Sequence, residues 1–174
     1  MAEVRVLRRR IRIFIALFIT GLILSGVTAF PLLHELNILA ALLGVSNVQS
    51  PEGYTGLTWW ILRVRQGLQV TSEHYPFIAY GTDWLAFGHL VIALFFIGPL
   101  IDPVRNVWSI RAGLIACVSV IPLALICGPI REIPIYWRLI DCSFGVIGFI
   151  PLWIALKLIR DLERNAAGAP GNHR

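Results

Sequence analysis

Thr82–Ile101 reads TDWLAFGHLVIALFFIGPLI. Beyond Asp83 it holds no formally charged side chain, and its one further ionisable group is His89. A helix needs roughly 20 apolar residues, at about 1.5 Å each, to cross a hydrocarbon core about 30 Å thick. This stretch has that length and character. An isolated strand would leave its amides unpaired in lipid, so the stretch reads as a membrane-spanning helix.

Three other runs have the same signature: Ile11–Phe30 (IRIFIALFITGLILSGVTAF), Arg111–Gly128 (RAGLIACVSVIPLALICG) and Asp141–Arg160 (DCSFGVIGFIPLWIALKLIR). The expected fold is all-α: an integral membrane four-helix bundle in a single domain over 1–174, with spans at about 11–30, 82–101, 111–128 and 141–160. Composition agrees. Of 174 residues, 57% are hydrophobic and 14% charged, against the roughly 25% charge of an average soluble domain. That is too little charge to clothe a water-facing surface and too much apolar content for a disordered chain.

Lys and Arg number 15 against 10 acids. The bases flank apolar runs rather than forming one solvated face, which argues for orientation in a bilayer and against nucleic-acid binding. With the N-terminus inside, the inner segments hold Arg5, Arg8, Arg9, Arg10, Arg12, Arg105, Arg111, Lys157, Arg160, Arg164 and Arg174. The outer segments hold only Arg63, Arg65, Arg131 and Arg138. Both termini are therefore expected in the cytoplasm. Val27-Thr28-Ala29 offers small residues for signal cleavage, but the apolar run exceeds the roughly 7–15 residues of a signal core, so an uncleaved first span is expected.

Between the first two spans, residues 31–81 form an outer cap. Leu32, Leu33, Leu36, Leu39, Ala40 and Leu43 make one helical stripe, and Thr58–Gln69 carries Trp59 and Trp60 at what would be headgroup level. Two interfacial amphipathic helices are expected there, separated by a loop at Ser46–Gly56. Asp102 can cap, and Pro103 suits a first helical position, so a new turn is expected at the inner link. Pro122 and Pro151 fall inside spans and Gly98-Pro99 near a span end, where packing kinks are expected. The polar tail, Asn165–Arg174, is expected to fray.

Polar residues at membrane depth point to sites. His89 lies six residues past Asp83, about 9 Å inward, and shares a face with Thr82 and Leu85. It could hold a ligand, haem iron or a quinone carbonyl, with Tyr80, Asp83 and Trp84 close by in sequence; an inter-helix hydrogen bond is the competing role. Arg131, Glu132, Tyr136, Trp137, Arg138 and Asp141 gather at the outer rim, either as an ion-pair cluster with aromatic anchors or as an Arg-fork site for an anionic headgroup, quinone or partner. Asp83 could pair with Arg131 or Arg138. His34 would have to turn toward His89 to complete a b-type haem site, whose histidines ordinarily come from within the spans. Cys127 and Cys142 near the outer ends could form a disulfide, whereas Cys117, about 15 Å deeper, is read as a packing residue. No cysteine spacing suits a structural metal. Nucleophile–base motifs such as Gly-x-Ser-x-Gly, Ser-x-x-Lys and HExxH are missing, as are phosphate loops.

Tyr75–Leu90 (YPFIAYGTDWLAFGHL), Gly98–Asn106 (GPLIDPVRN) and Ile121–Arg131 (IPLALICGPIR) together resemble a group of small bacterial inner-membrane proteins. The resemblance covers most of the chain after Phe30 and implies a polytopic bacterial membrane protein, without implying an activity. Disulfide-forming quinone reductases need two periplasmic cysteine pairs, which three cysteines cannot supply, and the Trp-Pro signatures of tryptophan-rich sensory proteins are missing. The reading from the residues is a non-catalytic accessory or partner-binding subunit in contact with lipid, a membrane-protein partner or its own copies. The alternative is a redox protein binding quinone or haem b through His89.

Overall fold

The computed structural model describes residues 2–167. Its described residues form helices and no strands: α1 (Ala2–Ala29), α2 (Leu32–Leu42), α3 (Gly56–His74), a 3-10 turn (Pro76–Ile78), α4 (Ala79–Phe95), α5 (Ile97–Ile101), α6 (Val107–Ile130) and α7 (Ile135–Ala167). Four helical stretches are long and apolar enough to cross a membrane: Val4–Ala29, Pro76–Ile101, Val107–Ile130 and Ile135–Asn165.

Each stretch extends beyond the apolar run that marks it. Hydropathy locates the hydrocarbon window, but backbone hydrogen bonds continue through charged residues outside it. The basic head, Arg5–Arg12, is therefore helical, and α7 at 33 residues is about 50 Å long, more than one hydrocarbon core. The stretch left between the third and fourth expected spans, 128–141, is corrected most. Only Arg131–Pro134 links the two helices, so Tyr136, Trp137, Arg138 and Asp141 lie on α7. At the other end of α7, Asn165–Ala167 are helical instead of frayed; the remainder of the tail, 168–174, and Met1 lie outside the described residues.

The chain divides into two compact units, Met1–Gly21 with Ile92–Arg174, and Leu22–Val91. In the first, α6 and α7 run antiparallel in extensive contact. Their core combines Ile110, Leu114 and Cys117 of α6 with Leu152, Ala155, Leu156 and Ile159 of α7, and Ile11 and Ile15 of α1 are buried in the same unit. Glycines set the approach. A Cβ on Gly145 would overlap the Cys117 carbonyl oxygen, and one on Gly113 would lie 2.7 Å from Phe96 Cζ and 2.8 Å from Leu152 Cδ1. Lipid offers no hydrophobic drive between helices, so such small residues gain dispersion contact by letting backbones meet. The Phe18 and Phe96 rings, 4.7 Å apart, fill the space beside them.

Prolines act according to position. Pro99 has no N–H for the Phe95 carbonyl and its ring crowds that oxygen, and the helix breaks at Phe96 between α4 and α5. Helices α6 and α7 continue through Pro122, Pro129 and Pro151. At the inner link, Asp102 Oδ1 accepts the Arg105 N–H at 3.2 Å and Pro103 is buried, forming the turn that leads into α6.

In the second unit, α2 and α3 pair around Ala40, Val45 and Leu62, with Val48 packed against them. Gly44, at φ 72°, ends α2: the Val45 N–H bonds Ala40 O at 2.9 Å and the Gly44 N–H bonds Ala41 O at 3.0 Å. This is a Schellman motif, with Val45 and Ala40 supplying its apolar contact. The same bonding ends α6, where Ile133 bonds Gly128 and Glu132 bonds Pro129, but Glu132 takes the left-handed position at φ 56°. The loop expected at Ser46–Gly56 gives its last residue to α3, which begins after extended Thr55.

Large apolar side chains stay exposed along the long helices, including Leu17, Leu94, Phe95, Ile115, Leu123, Ile126, Phe144 and Ile147. A soluble monomer does not expose apolar surface on that scale. With the helix lengths, this marks a multi-pass membrane protein whose apolar helices contact a lipid bilayer.

Candidate functional site

Four residues of α4, Tyr80, Asp83, Trp84 and Phe87, follow the spacing i, i+3, i+4, i+7 and so share one face. With Phe30, just past α1, they line an open recess of about 310 Å³. The rings are ordered edge to face: Tyr80 and Trp84 are 6.0 Å apart at 82°, and Trp84 and Phe87 are 6.0 Å apart at 86°. Such pairs place positive ring edges against negative faces. Asp83, half-buried, is the only formally charged side chain among the lining residues. The recess therefore offers flat apolar walls, one carboxyl group and the polar tips of Tyr80 and Trp84.

His89 is not among those lining residues. Nine residues from Tyr80 is half a revolution, which puts it on the opposite side of α4. There its Nδ1 lies 2.8 Å from Leu85 O, and Thr82 Oγ1 donates to Ala79 O at 2.6 Å. Both polar groups thus bond to their own helix. A Cβ on Gly26 of α1 would lie 3.1 Å from His89 Cβ and 2.9 Å from Ala86 O, so α1 and α4 meet closely on this face. His34 is exposed on α2, and no cluster of three His, Cys, Asp or Glu side chains able to hold a metal occurs among the described residues.

Arg131, Arg138 and Asp141 belong to the other compact unit. Arg131 is exposed at the end of α6, and Asp141 is half-buried two turns into α7. The Arg138 stem lies over Gly128, where any Cβ would overlap its Cδ, and its buried Nε has no hydrogen-bond partner among the described residues. Gly128 thus opens a slot for an arginine between two helix ends. The three cysteines are free thiols, with Cys117 buried against Gly148, Cys142 half-buried and Cys127 exposed.

Sequence reasoning grouped Tyr80, Asp83 and Trp84 but missed Phe87, which the i+7 spacing could have supplied. Nothing local identified Phe30, which reaches the recess through the tertiary fold. Arg65 was also missed as a structural residue. It is 4% exposed, and its Nη2 donates to Ser46 O and Val48 O, each at 3.1 Å. A signal existed, since Arg65 falls on the same stripe as Ile61 and Leu62.

The architecture is that of a polytopic helical membrane protein. No protein-family model, curated protein or solved structure matches the chain.

Proposed function

We propose that the chain is an accessory subunit of a bacterial inner membrane, acting by binding a membrane-protein partner rather than by catalysis. In this reading the four long helices form one bundle with both termini in the cytoplasm, and α2 and α3 lie along the outer interface. The arginine distribution supports the orientation, and half-buried Trp59 suits headgroup level, whereas Trp60 is buried in the protein.

The observation that carries the binding reading is Asp83 among exposed rings. A carboxylate at the edge of lipid is costly unless a cation or hydrogen-bond donor meets it. Tyr80 and Trp84, 63% and 57% exposed, flank it with the residue types that dominate binding hot spots. A partner helix presenting Arg, Lys or another donor would satisfy the acid and cover the rings.

A photo-crosslinking residue at Phe87 tests this in cells. The expected product is one discrete adduct with a second membrane protein, lost when Asp83→Leu is added. Adducts with lipid alone, or an adduct unchanged by Asp83→Leu, would overturn the reading.

The recess size favours a second reading. About 310 Å³ is at the lower end of small-molecule sites, and edge-to-face rings with Tyr80 O–H and Trp84 N–H donors suit a quinone headgroup. Solvent extraction of the purified protein would then yield stoichiometric quinone, and Trp84→Ala would lose it. Haem b would instead rest on His89 Nε2 and a second axial ligand, and an optical spectrum with a Soret band would reveal it.

A further inference from the structure

A larger recess, of about 590 Å³, lies in the unit containing the basic head. Arg5, Arg8, Arg9 and Arg12 of α1 line it with Ile13 and, from α5, Leu100. The arginines follow the spacing i, i+3, i+4, i+7 and occupy a sector of about 100° on the helix. Arg10, in the same basic run, lies on the opposite side and does not line the recess. Orientation by charge count would be served equally by any arrangement of these five residues. The convergence of four on one hollow is a separate fact.

Arg12 is anchored, its Nη2 donating to Ile101 O at 3.1 Å. Among the described residues, Arg5, Arg8 and Arg9 make no hydrogen bond or ion pair, and no acidic side chain lines the recess. Like charges on adjacent helical turns repel, so this cluster calls for an anion. The hollow is also amphipathic. Beyond Arg12, Ile13 begins the apolar run of α1, and Leu100 closes the same edge.

We propose that this recess holds the headgroup of an anionic phospholipid with two phosphates, the arginine forks taking the phosphate oxygens and Ile13 and Leu100 the first acyl carbons. Guanidinium groups match phosphate bidentately, and basic hollows beside membrane helices suit such lipids. A free phosphate would use the arginines but not the apolar edge. The proposal requires α1 to lie in a membrane and is independent of what fills the aromatic recess.

The full chain, purified in neutral detergent, would be titrated with cardiolipin and followed by native mass spectrometry. One lipid should remain bound, and Arg8→Gln or Arg9→Gln should each weaken it about five- to tenfold, while Arg10→Gln changes it less than about twofold. The double change of Arg8→Lys and Arg9→Lys, which keeps the charge, should still weaken binding because the forks are gone. Inorganic pyrophosphate should not displace the lipid at equal concentration. Equal losses for Arg10→Gln and Arg8→Gln, displacement by pyrophosphate, or no retained lipid would each overturn the proposal. Unchanged lipid-free melting temperatures of the variants separate lost binding from lost folding.

Discussion

His89 Nδ1 sits 2.8 Å from the carbonyl oxygen of Leu85, one turn back on the same helix. With its proton on Nδ1, the ring donates to that carbonyl, and the bond ties the imidazole to α4 rather than to a neighbouring helix. Local bonds of this kind contribute little, about 1 kcal/mol or less. His89→Leu should therefore lower stability in detergent by no more than about that amount. Because His89 lies opposite Tyr80, the crosslink from Phe87 should persist. Loss of a Soret band in His89→Leu would instead make the histidine an axial ligand.

Gly145→Val should destabilise the α6–α7 hairpin. Its Cβ would run into the Cys117 carbonyl, a backbone atom that cannot rotate away. Overpacking of this kind costs roughly 1–3 kcal/mol. Gly21→Ala is the control, because nothing lies within 4 Å of its Cβ position, and its effect should stay within about 1 kcal/mol. Thermal unfolding in micelles would read both.

Arg65→Met should release the loop between α2 and α3 while keeping the apolar stem. Two charge-assisted bonds, to Ser46 O and Val48 O, would be lost. Hydrogen bonds from a charged donor contribute about 1.5–3 kcal/mol each, so the change should be strongly destabilising locally. Limited proteolysis should then nick the chain between Gly44 and Thr55 much faster than in the parent. Arg65→Lys should fall between, since one ammonium cannot reproduce the planar fork.

Much of this was legible in sequence because a bilayer demands long apolar helices and the chain supplies four such runs. Helix ends were harder. Gly44 marks the close of α2 in the usual way, but α6 ends with Glu132 in the left-handed position, so no glycine marks its turn. Arg138 reads in sequence as part of the outer rim ahead of the fourth span, whereas Pro134 and the apolar Ile135 start α7 earlier and carry it into the helix. Within the recess, Tyr80, Asp83 and Trp84 could be found from one helix alone. Phe30 could not, because its place depends on how the chain folds back after α1. The prominence of His89 came from its being the lone histidine at depth, and spacing already placed it away from the aromatic face.

Orientation can be read with alkaline phosphatase fusions, which are active only outside the cytoplasm. A fusion after Gln49 should be active and one after Arg105 inactive, following the arginine distribution. The reverse pattern would place α2 and α3 on the cytoplasmic side and move the arginine-lined recess to the outer leaflet.

The membrane assignment underlies every site described above, and alkaline carbonate extraction of cell membranes tests it most directly. The chain should remain in the pellet after high-pH washing and enter solution only with detergent. Release into the carbonate supernatant would contradict the account, because helices with Leu94 and Phe95 turned outward would then be stable in water.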